Sequence, residues 1–192
     1  MAADGGVVEV VPAREIAARV SELGEILSRD YADRNPLLVA VLVGSLPFLS
    51  DLVRAMSIPL EVDFLGLSRF GEGGRIRIAL DTAESVAGRH VVIVEDIIDT
   101  GLTLTVLRKM LEDKGAASVA TATLVDKTRR RLVEVPLEYR GFEVGDEYLV
   151  GYGLDWKGRY RILDSLWAVV DLERLVADPD ALVEVLYDSV DR

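Results

Sequence analysis

Apolar residues along the chain alternate between helical spacing and short continuous runs. Between Ile16 and Leu27 they recur every three or four residues among charged ones, which predicts an amphipathic helix over residues 13–30. The apolar run over residues 37–43 is rich in β-branched residues and predicts a strand buried on both faces. By the same reasoning the further elements are helices over 48–56 and 101–114, and strands over 60–67, 75–80, 90–94 and 119–125.

The order of these elements predicts an α/β fold, because strands that alternate with helices form a parallel sheet covered by helices on both faces. A Gly-rich loop is expected over residues 68–74. Gly115 is expected to end the helix predicted over residues 101–114. The acidic tail predicts a peripheral helix over about 180–188, starting at Asp178-Pro179-Asp180.

Composition limits the chemistry available to the chain. Its 192 residues fit one domain. There is no cysteine and only one histidine, His90, which excludes disulfides, thiolate metal sites and a histidine-based zinc site. Any bound metal should therefore be a hard cation with oxygen ligands.

The charge balance narrows the partners. Net charge is -11, from 33 acidic and 22 basic residues, which disfavours nucleic acid and anionic membranes but permits a small phosphorylated ligand in a local pocket. The N-terminus lacks a signal pattern, and the apolar run over 37–49 is too short to span a bilayer. We expect a cytoplasmic protein.

The segment 91–104 carries the most information about function. An apolar strand leads into Glu95 and Asp96, and a turn from Asp99 to Thr103 then opens a helix. Amides at such a turn bind anions, and Gly101 lets the backbone approach one closely. Carboxylates can accept hydrogen bonds from sugar hydroxyls or hold Mg²⁺. The segment therefore predicts a sugar-phosphate site.

A structural interpretation is available for parts of this segment. Asp99 taken alone is better explained as a helix N-cap, whereas two acids at the end of a buried strand require a further reason. Neither a P-loop nor a G-x-G-x-x-G turn occurs in the sequence.

The string Val-Ile-Val-Glu-Asp-Ile-Ile-Asp-Thr-Gly at residues 92–101 closely resembles the phosphoribosyl pyrophosphate signature of type I phosphoribosyltransferases, in its hypoxanthine-guanine form. Four further segments of the chain resemble segments of the same family and occur in the same order. They are the pyrophosphate loop at 42–45, the entry to a closing loop at 62–71, the purine-recognition segment at 124–130 and the base-stacking hood at 146–161.

The resemblance implies a role for each matching residue. Asp99 would be the catalytic acid/base group. The other implied contacts are ribose and 5'-phosphate at Glu95, Asp96, Asp99, Thr100, Gly101, Leu102 and Thr103; purine at Lys127, Tyr148, Leu149 and Asp155; pyrophosphate at Val43, Gly44 and Arg161; and metal at Glu95, Asp96 and Asp155. From the sequence alone, Lys127 could be solvated and Tyr148 could equally be a core aromatic.

The same resemblance implies a type I phosphoribosyltransferase fold with a parallel twisted sheet and a small hood. The hood would come mainly from the N-terminal segment and residues 145–170, within a single domain 1–192. It further implies Mg²⁺ as cofactor, a purine base and phosphoribosyl pyrophosphate as substrates, IMP or GMP as product, and a homodimer or homotetramer. The loop 68–74 would close as a lid that excludes water.

The sequence departs from the family pattern at three places. Val43 stands where a basic residue is usual, Arg69 and Phe70 replace Ser and Tyr in the closing loop, and Ile162-Leu163-Asp164 replaces Asn-Leu-Pro. These departures leave two alternatives open. One is a non-catalytic sensor of phosphoribosyl pyrophosphate or nucleotide on the same fold, and the other is an enzyme that acts on xanthine or another purine analogue.

Overall fold

The computed structural model describes residues 6–70 and 75–187 of the chain. The chain forms two compact units: Arg19–Gly145, the large unit, and the described parts of Met1–Ala18 and Asp146–Arg192, the small unit. In chain order the elements are β1 Val7–Val11, α1 Ala13–Asp30, β2 Leu37–Leu42, α2 Leu46–Ala55, β3 Glu61–Phe70, β4 Arg75–Leu80, β5 His90–Ile98, α3 Leu102–Asp113, β6 Ser118–Asp126, a 3₁₀ turn Thr128–Arg130, β7 Tyr139–Glu143, β8 Tyr148–Val150, β9 Leu166–Val169, α4 Leu172–Ala177 and α5 Val183–Tyr187.

The large unit is built on a six-stranded sheet with the strand order β4-β3-β2-β5-β6-β7. Neighbouring strands from β3 to β7 pair in parallel, and β4 is an antiparallel edge strand beside β3. Strand, helix and strand alternate along the chain, so the predicted α/β fold is confirmed.

Both faces of the central strands are buried, which explains the continuous apolar run in β2. Leu37, Val39 and Val41 pack into one cluster with residues of α3. The alternate residues Leu38 and Ala40 are fully buried on the opposite face. Helix α2 packs against β2 and β5, and it also meets α1, since a Cβ added at Gly24 would lie 2.6 Å from the Ala55 Cβ.

Two strands are longer than the apolar pattern predicts. Strand β3 continues to Phe70 because residues 68–70 pair with β4, so this part of the expected loop is strand; residues 71–74 lie outside the described part of the chain. Strand β5 runs to Ile98 rather than Val94, because its polar second half stays paired with β6. Glu95 and Asp96 therefore lie inside the strand and not at its end.

The small unit has a three-stranded antiparallel sheet in the order β1-β9-β8. Its buried core contains apolar residues from the sheet, the C-terminal helices and the segments that connect them: Val7, Val150, Tyr160, Leu163, Val169, Leu175, Leu182 and Leu186. The C-terminal helix begins at Val183, three residues later than expected, and Leu186 on it is fully buried. Among the described residues, no helix has the length and apolar character needed to cross a membrane.

Candidate active site at the carboxyl edge of the sheet

The predicted phosphate turn joins the end of β5 to α3. Gly101 occupies the N-cap position of α3 in a left-handed conformation, with φ of 83°. A Cβ added there would lie 2.8 Å from the carbonyl oxygen of Val133, so only glycine fits without displacement. Gly115, which follows the C-cap of α3, also has a positive φ, as expected of a terminating glycine.

This turn lies where the sheet changes direction. The connection through α2 leads from β2 to its neighbour β3, whereas the connection through α3 leads from β5 to its neighbour β6 on the other side. Ligands of open α/β sheets bind in the crevice at such a switch point, at the carboxyl ends of the strands. The first N–H groups of α3 have no acceptor within the helix and can bind an anion there.

Glu95 is a buried acid in the second half of β5, only 6% exposed. Desolvation by burial raises the pKa of this carboxyl well above its ordinary value, and the charge of Asp96 raises it further. Asp96 is half-buried, and its Oδ1 accepts a hydrogen bond from the amide of Ile97 at 2.9 Å. A buried carboxyl that is costly to ionise can be stabilised by neutral hydrogen-bond donors or by a cation.

Asp99 is held by two arginines from the segment that follows β6. Nε of Arg130 donates to Asp99 Oδ1 at 2.6 Å, and Nη1 of Arg131 donates to the Asp99 carbonyl at 2.9 Å. Arg131 also pairs with Asp126, which is 1% exposed and has a second partner in Nε of Arg140 at 3.1 Å. The position of Asp99 is thus tied to the end of β6.

Lys127 directly follows β6 and is 7% exposed. Its amide donates to the Ile98 carbonyl at 2.9 Å, so its backbone lies beside the residue that precedes Asp99. The predicted acid/base residue and the predicted purine-binding lysine are therefore brought together by strand pairing. The sequence-based prediction gives no role to Arg131 or Arg140. The run of basic residues at 129–131 is a signal that could suggest a role for Arg131.

The predicted pyrophosphate loop follows β2, the neighbour of β5 in the sheet. The peptide bond between Leu42 and Val43 is cis. Val43 is exposed, Gly44 is buried, and the hydroxyl of Ser45 donates to the Val41 carbonyl at 2.6 Å. The loop begins at the same edge of the sheet as the phosphate turn.

The remaining predicted site residues form a second group, within the small unit. Tyr148 and Leu149 lie in β8, and the Tyr148 hydroxyl donates to the Asp155 carbonyl at 2.7 Å. Nη2 of Arg161 pairs with Asp155 Oδ1 at 2.7 Å, and Nη1 donates to the Gly153 carbonyl at 2.5 Å. Tyr148, Asp155 and Arg161 therefore form one connected cluster.

No three or more acidic or histidine side chains of the described residues are arranged to hold a metal ion by themselves. Mg²⁺ does not require such a cage, because it is often bound by one or two carboxylates together with substrate oxygens and water. The carboxylate oxygens of Glu95 and Asp96 are ligands of the kind that Mg²⁺ takes in such sites.

A model of the phosphoribosyl transferase domain matches residues 7–157. The chain belongs to the phosphoribosyltransferase family. The resemblance inferred from the motifs is thereby confirmed.

This phosphoribosyltransferase has relatives of similar size. It is 46% identical over 153 residues to the hypoxanthine-guanine phosphoribosyltransferase of Streptococcus pneumoniae, an alignment that covers 78% of this chain and 85% of the relative. It is 43% identical over 170 residues to the hypoxanthine phosphoribosyltransferase of Salmonella typhimurium, covering 85% and 96%.

A solved structure gives the same result for the fold. The hypoxanthine-guanine phosphoribosyltransferase of Bacillus anthracis superposes with a TM-score of 0.81 at 34% identity, covering 85% of this phosphoribosyltransferase and 98% of the solved chain. The predicted type I phosphoribosyltransferase fold is confirmed by this likeness.

Proposed function

We propose that this phosphoribosyltransferase joins hypoxanthine or guanine to the ribose of phosphoribosyl pyrophosphate, forming IMP or GMP and releasing pyrophosphate. The observation that carries the proposal is the junction of β5 and α3. There the strand that carries Glu95 and Asp96 leads into a helix start with glycine at its N-cap, and the backbone of the buried Lys127 lies beside the residue that precedes Asp99.

The sugar-phosphate part of the substrate fits this junction. The amides of the turn from Asp99 to Thr103 would bind the 5'-phosphate, helped by the positive end of the α3 dipole and the hydroxyls of Thr100 and Thr103. Glu95 and Asp96 would bind the ribose hydroxyls, whose O–H groups are suitable donors to carboxylate oxygens.

Purine selection would depend on Lys127 and the small-unit cluster. An ammonium group only donates hydrogen bonds, so Lys127 would favour a 6-oxo group over the amino group of adenine. Tyr148 would stack on the base and the backbone of Leu149 would contact its edge. Asp99 would accept or return the proton on the imidazole part of the purine.

The leaving pyrophosphate needs charge stabilisation as the bond to the sugar breaks. Arg161 and the backbone of Val43 and Gly44 would bind it. Mg²⁺, held by Glu95, Asp96 or Asp155 together with substrate oxygens, would neutralise part of its charge. Carboxylates beside the sugar would stabilise the positive charge that develops on the ring. The water-excluding lid over residues 68–74, a cytoplasmic location, and a homodimer or homotetramer remain predictions.

An activity assay tests the proposal. The protein is mixed with Mg²⁺, phosphoribosyl pyrophosphate and hypoxanthine, guanine, xanthine or adenine in turn, and nucleotide and pyrophosphate are measured. We expect turnover with hypoxanthine or guanine that is lost when Mg²⁺ is chelated. Substrate binding without turnover for any base would instead support the sensor, and turnover with xanthine alone would support the analogue-specific enzyme.

Asp99→Asn tests the acid/base assignment. The variant keeps the shape of the side chain but removes its proton affinity, so kcat should fall by about 10²- to 10⁴-fold. The matched control is Asp33→Asn, an exposed substitution of the same kind in the large unit, which should leave kcat unchanged. Wild-type kcat in Asp99→Asn would show that another group moves the proton.

A further inference from the structure

The C-terminal segment Leu172–Tyr187 lies beyond the part of the chain that matches the family domain, which ends at residue 157. Its helices α4 and α5 have six and five residues, too few to be stable by themselves. They are held by apolar side chains, since Leu175, Leu182 and Leu186 are all 0% exposed in the core of the small unit. The segment is therefore an integral part of that unit.

This segment makes several polar contacts to one turn, residues 155–161, among them a hydrogen bond from the Leu182 amide to the Tyr160 hydroxyl at 3.4 Å. The indole N–H of Trp156 donates to the Leu175 carbonyl at 3.1 Å, and the hydroxyl of Tyr160 donates to the Pro179 carbonyl at 2.7 Å. Arg159 forms a bidentate ion pair with Asp180, in which Nε pairs with Oδ1 and Nη2 lies 3.2 Å from Oδ2. The ring of Tyr160 also lies 6.4 Å from that of Tyr187.

The backbone of the turn needs such support. Trp156 and Arg159 exchange both backbone hydrogen bonds around Lys157 and Gly158, which have φ of 50° and 85°. Tyr160 is also left-handed, with φ of 70°, although it is 2% exposed and carries a bulky ring. Non-glycine residues persist in this region when surrounding contacts fix them.

The turn carries residues of the proposed site. Asp155 and Arg161 stand at its two ends and pair with each other at 2.7 Å. Trp156 packs edge-on against Tyr148, with ring centroids 5.2 Å apart, and the Tyr148 hydroxyl donates to the Asp155 carbonyl. A displacement of the turn would therefore move the base-stacking ring and the pyrophosphate-binding arginine together.

We propose that the C-terminal segment is a positioning element for substrate binding, which fixes the turn 155–161 through Trp156 and Arg159 so that Tyr148, Asp155 and Arg161 are held ready for purine and pyrophosphate. The inference rests on the proposed function of the same residues. Trp156, Arg159 and Asp180 are not among the residues proposed to contact substrate; they act through the residues that do.

Point variants of the full chain test the proposal, because truncation would also remove core residues. Asp180→Asn and Arg159→Gln each break the ion pair, and each should raise the KM for phosphoribosyl pyrophosphate about two- to fivefold, as suits an exposed pair. The double variant should match the single ones, since the same contact is lost.

Trp156→Phe keeps the ring but removes the donor to Leu175, and should raise both KM values about three- to tenfold. In all of these variants kcat should change less than about twofold.

The matched control is Glu173→Gln, which removes one negative charge from the same segment at an exposed residue of α4 and should leave KM unchanged. A role limited to stability would lower the unfolding temperature of Asp180→Asn while leaving its KM at the wild-type value. That result would overturn the proposal.

Fluorescence gives an independent measurement. The chain has two tryptophans, so Trp167→Phe leaves Trp156 as the only reporter. Adding Asp180→Asn to this background should shift the Trp156 emission and enlarge its response to IMP, because the turn is no longer fixed before binding. An unchanged spectrum and response would contradict the proposal. If the wild-type protein forms no nucleotide, the proposed function fails, and this measurement still decides whether the segment holds the turn.

Discussion

At the scale of single residues, Glu95 combines a buried position with an ionisable side chain. Burying a carboxylate without a paired cation is costly, and the raised pKa of Glu95 expresses that cost. An apolar or amide side chain would suit the interior of β5 better if folding were the only requirement. The retention of an acid is consistent with its proposed contact to the ribose hydroxyls or Mg²⁺.

Glu95→Gln should change the stability and the activity of the protein in opposite directions. The amide has nearly the same shape and avoids the cost of burying a carboxyl, so the unfolding temperature should rise by about 2–4 °C. The same change replaces a carboxyl oxygen that could bind the ribose or Mg²⁺ with an amide nitrogen, which only donates, so kcat/KM should fall by at least about tenfold. Calorimetry and the nucleotide assay measure the two effects.

The control for this variant is Glu134→Gln at an exposed position of the large unit, which should change neither quantity. A Glu95→Gln protein that is less stable and fully active would show that Glu95 has a structural role instead.

At the scale of elements, the sequence predicts most clearly those strands that are buried on both faces of the sheet. Strands β2 and β5 were found because strands covered on both faces are apolar without interruption. The ends of β3 and β5 were missed because their polar residues are kept in the sheet by pairing with β4 and β6, which no local pattern shows.

The candidate site divides in the same way. The turn from Asp99 to Thr103 could be predicted because a strand, a glycine and a helix start are local features of one segment, while its phosphate binding stays a prediction. The contacts of Arg130 and Arg131 with Asp99 could not, because they join residues about thirty positions apart through the pairing of β5 with β6. Likewise, nothing in the tail sequence indicates that Asp180 pairs with Arg159.

Gly101→Ala tests the phosphate turn as an element. The new Cβ would meet the Val133 carbonyl oxygen at 2.8 Å, and alanine is also strained at φ of 83°. Because the Val133 and Leu132 amides bind the Thr100 carbonyl, the clash would displace the turn itself. We expect affinity for IMP to fall by about tenfold or more in a calorimetric titration, with a matching loss of activity.

Gly88→Ala is the matched control, since Gly88 is also left-handed, with φ of 73°, but has no atom within 4 Å of the added Cβ. It should share the backbone strain, lose about 1 kcal/mol of stability and bind IMP normally. Equal losses of IMP affinity in both variants would show that the turn does not form the phosphate site.

At the scale of the whole molecule, the acidic and basic residues are distributed unevenly along the chain. The segments 1–18 and 146–192 make up about a third of the chain but carry most of its net negative charge. An acidic chain repels a polyanion, so the proposed binding of the 5'-phosphate would have to depend on local donors such as the amides of the turn from Asp99 to Thr103.

Buried tyrosines are found in both units, and they should limit stability at alkaline pH. Burial raises the pKa of four of the six tyrosines, Tyr31, Tyr139, Tyr148 and Tyr160, above the ordinary value of 10.0. In the unfolded chain these phenols ionise near the ordinary value, so their contribution to stability is complete below it and is lost as the pH rises above it. The free energy of unfolding in urea should therefore fall between about pH 9 and about pH 11, and phenolate absorbance should rise further when the protein unfolds. Tyr139→Phe should weaken this pH dependence, whereas full ionisation of every tyrosine in the folded protein near the ordinary pKa would contradict the prediction.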